Sequence, residues 1–313
     1  MSAPVIWGGR LIFHFGHLAA EHLNRIPAAL YHRPDAHVAV TLPPGRVVAD
    51  IPPWLWDMLA WYGVAPSRLL AVTNPIEAEQ LFVGPQPEHL GAHPPPAWFL
   101  DLLDELPRLN DLRPTPTPVV YVTRQGQPAL GNGGHAGEGA LVRALGRAGA
   151  MVIDPARLPL RAQLEAYAGA RHLVFAEGSA VHGRQLLGRL DQEILILNRR
   201  PDTRMVPAQL GARCKVLTYA EPIAHFAAPL DPAGSPLADR GLALPDLSAL
   251  ARALGACGLD LARHWNNDDF RAEVVRDVAA WAAATGRLSE VDTDLTRPVL
   301  GALEAAVHNL PGL

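Results

Sequence analysis

The residues Val174-Phe175-Ala176-Glu177-Gly178-Ser179-Ala180-Val181-His182-Gly183 read as the end of an apolar strand, a glycine turn and the opening of a helix. A unit of this kind presents free N–H groups and the positive end of a helix dipole at the carboxyl edge of a sheet, where an anion such as a pyrophosphate binds. The same residues also fit an ordinary turn, with Gly178 serving backbone geometry and Ser179 capping the helix. They do not form the G-x-S-x-G elbow of the α/β-hydrolases, because Glu177 precedes the glycine and no glycine stands two places after Ser179.

Outward from this unit the periodicity alternates between strand and helix. The pattern predicts a strand from Val119 to Thr123, a helix from Glu138 to Ala148 and a strand from Ala150 to Ile153. A helix from Leu160 to Gly169, a strand from His172 to Phe175, a helix from Ser179 to Gly188 and strands from Glu193 to Leu197 and Lys215 to Tyr219 follow. That is a Rossmann-like half with a mainly parallel sheet. Toward the N-terminus, Leu18, Leu23, Ile26 and Leu30 recur at helical spacing between His14 and Leu30. Short apolar runs at 36–42, 69–72 and 80–83 read as strands, with a helical stretch around Trp54 to Tyr62. Residues 84–97 and 113–118 are crowded with Pro and Gly around a helix from Ala97 to Leu109, which places a boundary near Pro114. The expected organisation is α/β: a Rossmann-like domain over 1–113, a second over 114–232 and a helical segment over 233–313, with no repeat at a fixed period.

Bulk properties narrow the functions. With 313 residues, 49% of them hydrophobic, the chain is long enough for two domains. A formal charge of −4 leaves no basic field for a nucleic acid. Cys214 and Cys257 lie far apart without metal-ligand neighbours and read as reduced thiols of a cytosolic protein. No charged-then-apolar leader opens the sequence and no run of about 18 apolar residues occurs in it, so a cytoplasmic location is expected, with no membrane span. The apolar tail helices can seal a homodimer as readily as they can pack within the chain.

Several side chains carry chemistry. Arg124 ends the first strand of the second half, where a guanidinium can fork onto phosphate oxygens; a surface arginine in a loop is the plainer reading. Glu138, Glu177 and His182 can bind sugar or ribose hydroxyls, or simply mark helix starts and a capped surface. His17 and Glu21 stand four apart on one helix face, and either can serve as the base that takes a proton from an acceptor hydroxyl; a solvated pair is the commoner meaning of that spacing. No H-E-x-x-H occurs, and the D-x-D at Asp292-Thr293-Asp294 reads as the start of the last helix. No metal site is expected.

Two segments together resemble glycosyltransferase family 61. FGHLAAEHLNRIPAAL (15–30) is similar to its N-terminal stretch of an aromatic-Gly-His, a Glu and an Arg before an apolar helix. YVTRQGQ followed by the run from Ala136 to Gly183 is similar to its strand-Arg, helix-start Glu, late Pro, helical Gln and small-residue loop. On that register Arg124, Glu138, Gln163, Gly178, Ser179 and Ala180 fall on family positions, over roughly residues 10–200. The resemblance implies a bacterial-type inverting transferase of GT-B architecture, two Rossmann-like domains facing a cleft. Its nucleotide-sugar donor would sit in the C-terminal half and a glycan or other hydroxyl acceptor in the cleft, with tail helices crossing back onto the first half. The implied work is glycan or polysaccharide biosynthesis, with no cofactor, since Arg124 and the helix start replace a divalent cation. Two positions depart: Gly137 stands for the family's Asn and Glu177 for its loop His. A carboxylate there repels a diphosphate unless it binds sugar hydroxyls or is offset by Arg124 and His182. A non-catalytic glycan-binding or scaffold protein on the same fold is the alternative reading, and a nucleotide-sugar hydrolase or epimerase a third.

Overall fold

A computed structural model describes residues 3–90 and 93–313. The chain begins with β1 (Val5–Arg10), a strand the sequence reading did not assign because Gly8-Gly9 interrupts its apolar run. The interruption has a packing cause. A Cβ on Gly8 would lie 2.7 Å from Val38 Cγ1, so the missing side chain lets β2 (His37–Thr41) come alongside. With β3 (Leu69–Ala71) and β4 (Leu81–Phe82) they make an all-parallel sheet in the order β3-β2-β1-β4.

The helix predicted from His14 to Leu30 is three pieces. α1 (Phe15–His17) gives way to a π-helical turn over Leu18–His22, where the Leu23 N–H reaches Leu18 O at 3.1 Å, and α2 (Ile26–His32) then starts afresh. Pro27 in the first turn of α2 has no N–H to continue the earlier ladder, which is why the helix restarts there. Two helices follow β2 and β4 respectively, α3 (Pro53–Trp61) and α4 (Ala97–Leu109).

The second half runs β5 (Thr117–Val122), β6 (Gly134–His135), α5 (Glu138–Arg147), β7 (Met151–Ile153), α6 (Leu160–Gly169) and β8 (Ala170–Ala176). A 3₁₀ segment over Ser179–Leu186 replaces the predicted α-helix and leads to β9 (Glu193–Leu197), α7 (Pro207–Gly211) and β10 (Val216–Ala220). The five longer strands are parallel, in the order β10-β9-β8-β5-β7. A small third sheet, unforeseen in the sequence, pairs β11 (Ile223–Ala227) antiparallel with β12 (Leu242–Pro245) and β12 parallel with β6.

Strand alternation sorts the five-stranded sheet into two cores. Val120, Val122, Leu173, Phe175, Ile194 and Ile196 join one apolar cluster that continues into the first half through Leu11, Leu55, Trp61 and Leu103. Val119, Tyr121, Val174, Ala176, Leu195 and Leu197 face a second cluster built with α8 (Leu247–Gly255), α9 (Asn267–Thr285) and α10 (Thr293–His308). The tail helices therefore cover the far face of the second sheet instead of crossing back onto the first half. Leu250, Leu254, Phe270, Val274 and Trp281 are the residues that commit them there.

Polar bonds reinforce the junction of the halves. Trp61 Nε1 donates to Leu186 O at 2.9 Å, and the fully buried Glu88 and Arg213 pair through two bonds of 2.7 Å.

Candidate functional site

Counted in chain order, the second sheet runs 2-1-3-4-5. Connections leave β5 and β8 in opposite directions, which opens a crevice beyond their carboxyl ends. A cavity of about 680 Å³ lies there. Thr123, Arg124 and Gln125 after β5, the loop from Asp154 to Pro159 after β7 and the segment from Gly178 to Ala180 after β8 form one side. Phe15, Pro53, Trp54 and Asp57 of the first half form the other.

Arg124 is the polar centre of this crevice. Its Nε donates to Gly133 O at 2.6 Å, and among the described residues no carboxylate comes within ion-pair distance of its guanidinium. Gly178 is extended (φ 171), so no left-handed geometry requires a glycine. A Cβ would instead fall 2.5 Å from Arg124 Nη1, and the glycine exists to let the guanidinium lie against the loop. Ser179 and Ala180 begin the 3₁₀ segment beside it, and the first N–H groups of such a segment have no partner within it.

Glu138 does not line the cavity. It is buried beneath it, where its Oε1 accepts from Tyr121 OH at 2.8 Å, Thr123 Oγ1 at 2.7 Å and the Arg124 N–H at 2.8 Å. Burial pushes this carboxyl up, against those three bonds and the nearby Arg124 charge. Gln163 reaches the cavity wall, but its amide donates to Pro155 O at 2.9 Å and Leu158 O at 2.8 Å, and so shapes the loop after β7.

Glu177 also turns away from the cavity. It is wholly buried, accepts the Arg199 N–H at 2.9 Å and the Arg200 N–H at 3.1 Å, and forms an ion pair with the Arg200 guanidinium. Its charge is thus met directly by Arg200 and two amides, where the sequence had pointed to Arg124 and His182; Arg124 acts on it only through its nearby charge, and among the described residues His182 makes no hydrogen bond or ion pair with it. Arg199 and Arg200 were missed, although the signal that singled out Arg124, an arginine just past a strand's carboxyl end, applies to both. Arg199 is buried without a carboxylate within ion-pair distance among the described residues. Desolvation, with Arg124 next in effect, lowers it to about 9.

The two sequence segments meet. Gly16 of α1 lies so close to the 3₁₀ segment that a Cβ would be 2.9 Å from His182 Cδ2 and 3.3 Å from Ser179 Cβ. His182 is buried under α1, with Nδ1 2.8 Å from Gln185 Oε1, and desolvation lowers it to about 4. It is neutral at pH 7 and is not among the residues lining the cavity.

His17 and Glu21 do come together. His17 Nδ1 is 3.6 Å from Glu21 Oε2, while Glu21 Oε1 accepts the Leu90 N–H at 3.3 Å and has His89 Nδ1 at 3.8 Å. Neither is among the residues lining the cavity, to which α1 contributes Phe15. The imidazole of His17 is the more open member, with a side chain 45% exposed against 14% for Glu21. The His14 ring lies tilted against that of His17, their centroids 4.7 Å apart and their planes at 54°, and burial lowers the pKa of His14.

The family model for glycosyltransferase 61 matches residues 15–184, more than half of the chain and the span from Phe15 into the 3₁₀ segment. The chain belongs to glycosyltransferase family 61. No curated protein matches it. Within this family 61 chain the matched span holds Arg124, Glu138, Gln163 and Gly178, whereas Arg199, Arg200 and the tail helices lie beyond it. No helix among the described residues is long and apolar enough to cross a membrane, and no group of three His, Cys, Asp or Glu among them is arranged to hold a metal ion.

Proposed function

We propose that this glycosyltransferase moves a sugar from a nucleotide-sugar donor to a hydroxyl acceptor with inversion, in glycan or polysaccharide biosynthesis in the cytoplasm. The division at Pro114 is read as a GT-B pair of domains. The observation that carries the proposal is Arg124: a largely buried guanidinium with no carboxylate within ion-pair distance among the described residues, at the strand crevice of the second sheet and against Gly178. A cation held that way favours an anion at the cavity, and a diphosphate matches both its geometry and the N–H groups of Ser179 and Ala180.

In this scheme the donor diphosphate lies between Arg124 and the start of the 3₁₀ segment, with the sugar toward Phe15 and Trp54. His17 takes the proton of the acceptor hydroxyl as that oxygen attacks the anomeric carbon, and Glu21 orients the imidazole. The diphosphate leaves with its charge held by Arg124, in the role a divalent cation plays elsewhere. Because the Glu177 carboxylate is neutralised by Arg200, the main reason for a non-catalytic reading, repulsion of the diphosphate, carries little force.

Titration calorimetry with UDP, GDP, CDP and their sugars, in the presence of EDTA, tests the scheme. One base is expected to bind, with affinity at least about tenfold weaker in Arg124→Ala, the loss of a charge-assisted contact. Equal binding in the variant would remove Arg124 from the site.

A further inference from the structure

The cavity floor is held from behind by a helix outside the family match. Glu138 fixes the backbone of Arg124, and Glu138 is the first residue of α5, directly after Gly137. Gly137 is left-handed (φ 78), and a Cβ there would run into the Phe270 ring and lie 2.8 Å from Val274 Cγ2, both on α9. The Gly137 N–H donates to Asp277 Oδ2, also on α9, at 2.8 Å. Two residues further along, a Cβ on Gly139 would be 2.7 Å from Glu273 Cδ and 2.9 Å from Gln125 Nε2, and Gln125 lines the cavity. The start of α5 is thus pressed between α9 and the loop that bears Arg124.

We propose that Asp277 is a positioning residue of the donor site: by holding the Gly137 N–H it sets the Glu138 carboxylate, and through it the backbone of Arg124. The inference rests on the reading of Arg124 as the diphosphate ligand. Asp277 is an expensive acceptor for this bond, because desolvation raises its pKa to about 6, with Glu273 adding to the rise and the Gly137 bond, Arg276 and Arg143 opposing it. A neutral amide would make the same hydrogen bond without that cost. The ionised form also accepts more strongly than the neutral acid, so the grip on Gly137 slackens as pH falls through about 6.

The test measures inorganic pyrophosphate affinity by calorimetry between pH 5.5 and 8 in wild type, Asp277→Ala, Asp277→Asn and Arg124→Ala. In parallel, the Nε–Hε resonance of Arg124 is followed by NMR, assigned by its loss in Arg124→Ala. At pH 7.5 Asp277→Ala is expected to bind about fivefold more weakly, and Asp277→Asn, whose oxygen still accepts from Gly137, to recover to within about twofold. The ratio of wild-type to Asp277→Asn affinity should fall as pH drops through about 6, a comparison that cancels the titration of pyrophosphate itself. The positioning role is overturned if Asp277→Ala melts at a lower temperature yet keeps wild-type affinity and pH profile. If wild type and Arg124→Ala bind pyrophosphate equally, or neither binds, the donor reading falls. The Arg124 resonance then still decides the relay: displacement in Asp277→Ala with restoration in Asp277→Asn supports it, and no displacement ends it.

Discussion

At the scale of single residues the site is governed by close approaches that the sequence does not display. Gly178 was legible as a turn glycine, but its cause is Arg124, 54 positions earlier, whose guanidinium occupies the space a side chain would need. Glu177 looked like an electrostatic obstacle because its partner Arg200 arrives from the next strand. Two buried histidines make stability depend on pH. His182 and His135 are both lowered to about 4, chiefly by desolvation, whereas an unfolded histidine titrates near 6.5. The unfolded chain therefore binds more protons between those values, so their contribution to stability is complete above about 6.5 and is lost as pH falls toward about 4. Each can withdraw up to about 3 kcal/mol over that window. Denaturant midpoints measured at several pH values are expected to fall on acidification, and less steeply in His182→Asn. An unchanged slope in the variant would mean that the imidazole is not held neutral.

At the scale of elements, periodicity located most of the strands and helices, because apolar spacing is a local property. It failed where the outcome depends on a backbone partner far away. β6 is two residues long and exists because Leu242 and Ala243 pair with it, and the helix through His17 is broken by a ring at Pro27 that leaves the apolar spacing intact. The reading of Asp292-Thr293-Asp294 as a helix start agrees with the geometry: Asp292 Oδ1 accepts from Asp294 N at 3.0 Å and Leu295 N at 2.9 Å, capping α10. Asp292→Ala is expected to cost about 1 kcal/mol in thermal or denaturant unfolding. Nucleotide affinity with or without Mn²⁺ should not move, and a metal-dependent loss of binding would instead make this pair a donor ligand.

At the scale of the whole molecule, both parallel sheets were foreseeable, yet the manner of their joining was not. Side-chain alternation shows that a strand has two faces without saying what covers each. The junction depends on Glu88 and Arg213, 125 positions apart, which form a buried bidentate pair between the Pro-rich stretch of the first half and the end of α7. Glu88→Ala leaves the Arg213 charge buried without its counter-ion and is expected to cost about 3–5 kcal/mol. In a chemical melt the loss should appear as an earlier single transition. Two separated transitions in wild type would show instead that the halves unfold independently.

The core that runs between the sheets also has a consequence during synthesis. Trp61, Leu103 and Leu106 of the first half belong to the same cluster as Leu186, Leu187 and Leu210. Translation is vectorial, so the first half leaves the ribosome when the residues that complete its apolar wall have not yet been made. Until roughly two thirds of the chain has emerged, the nascent first half exposes a face that water disfavours. At that stage it is not a finished folding unit.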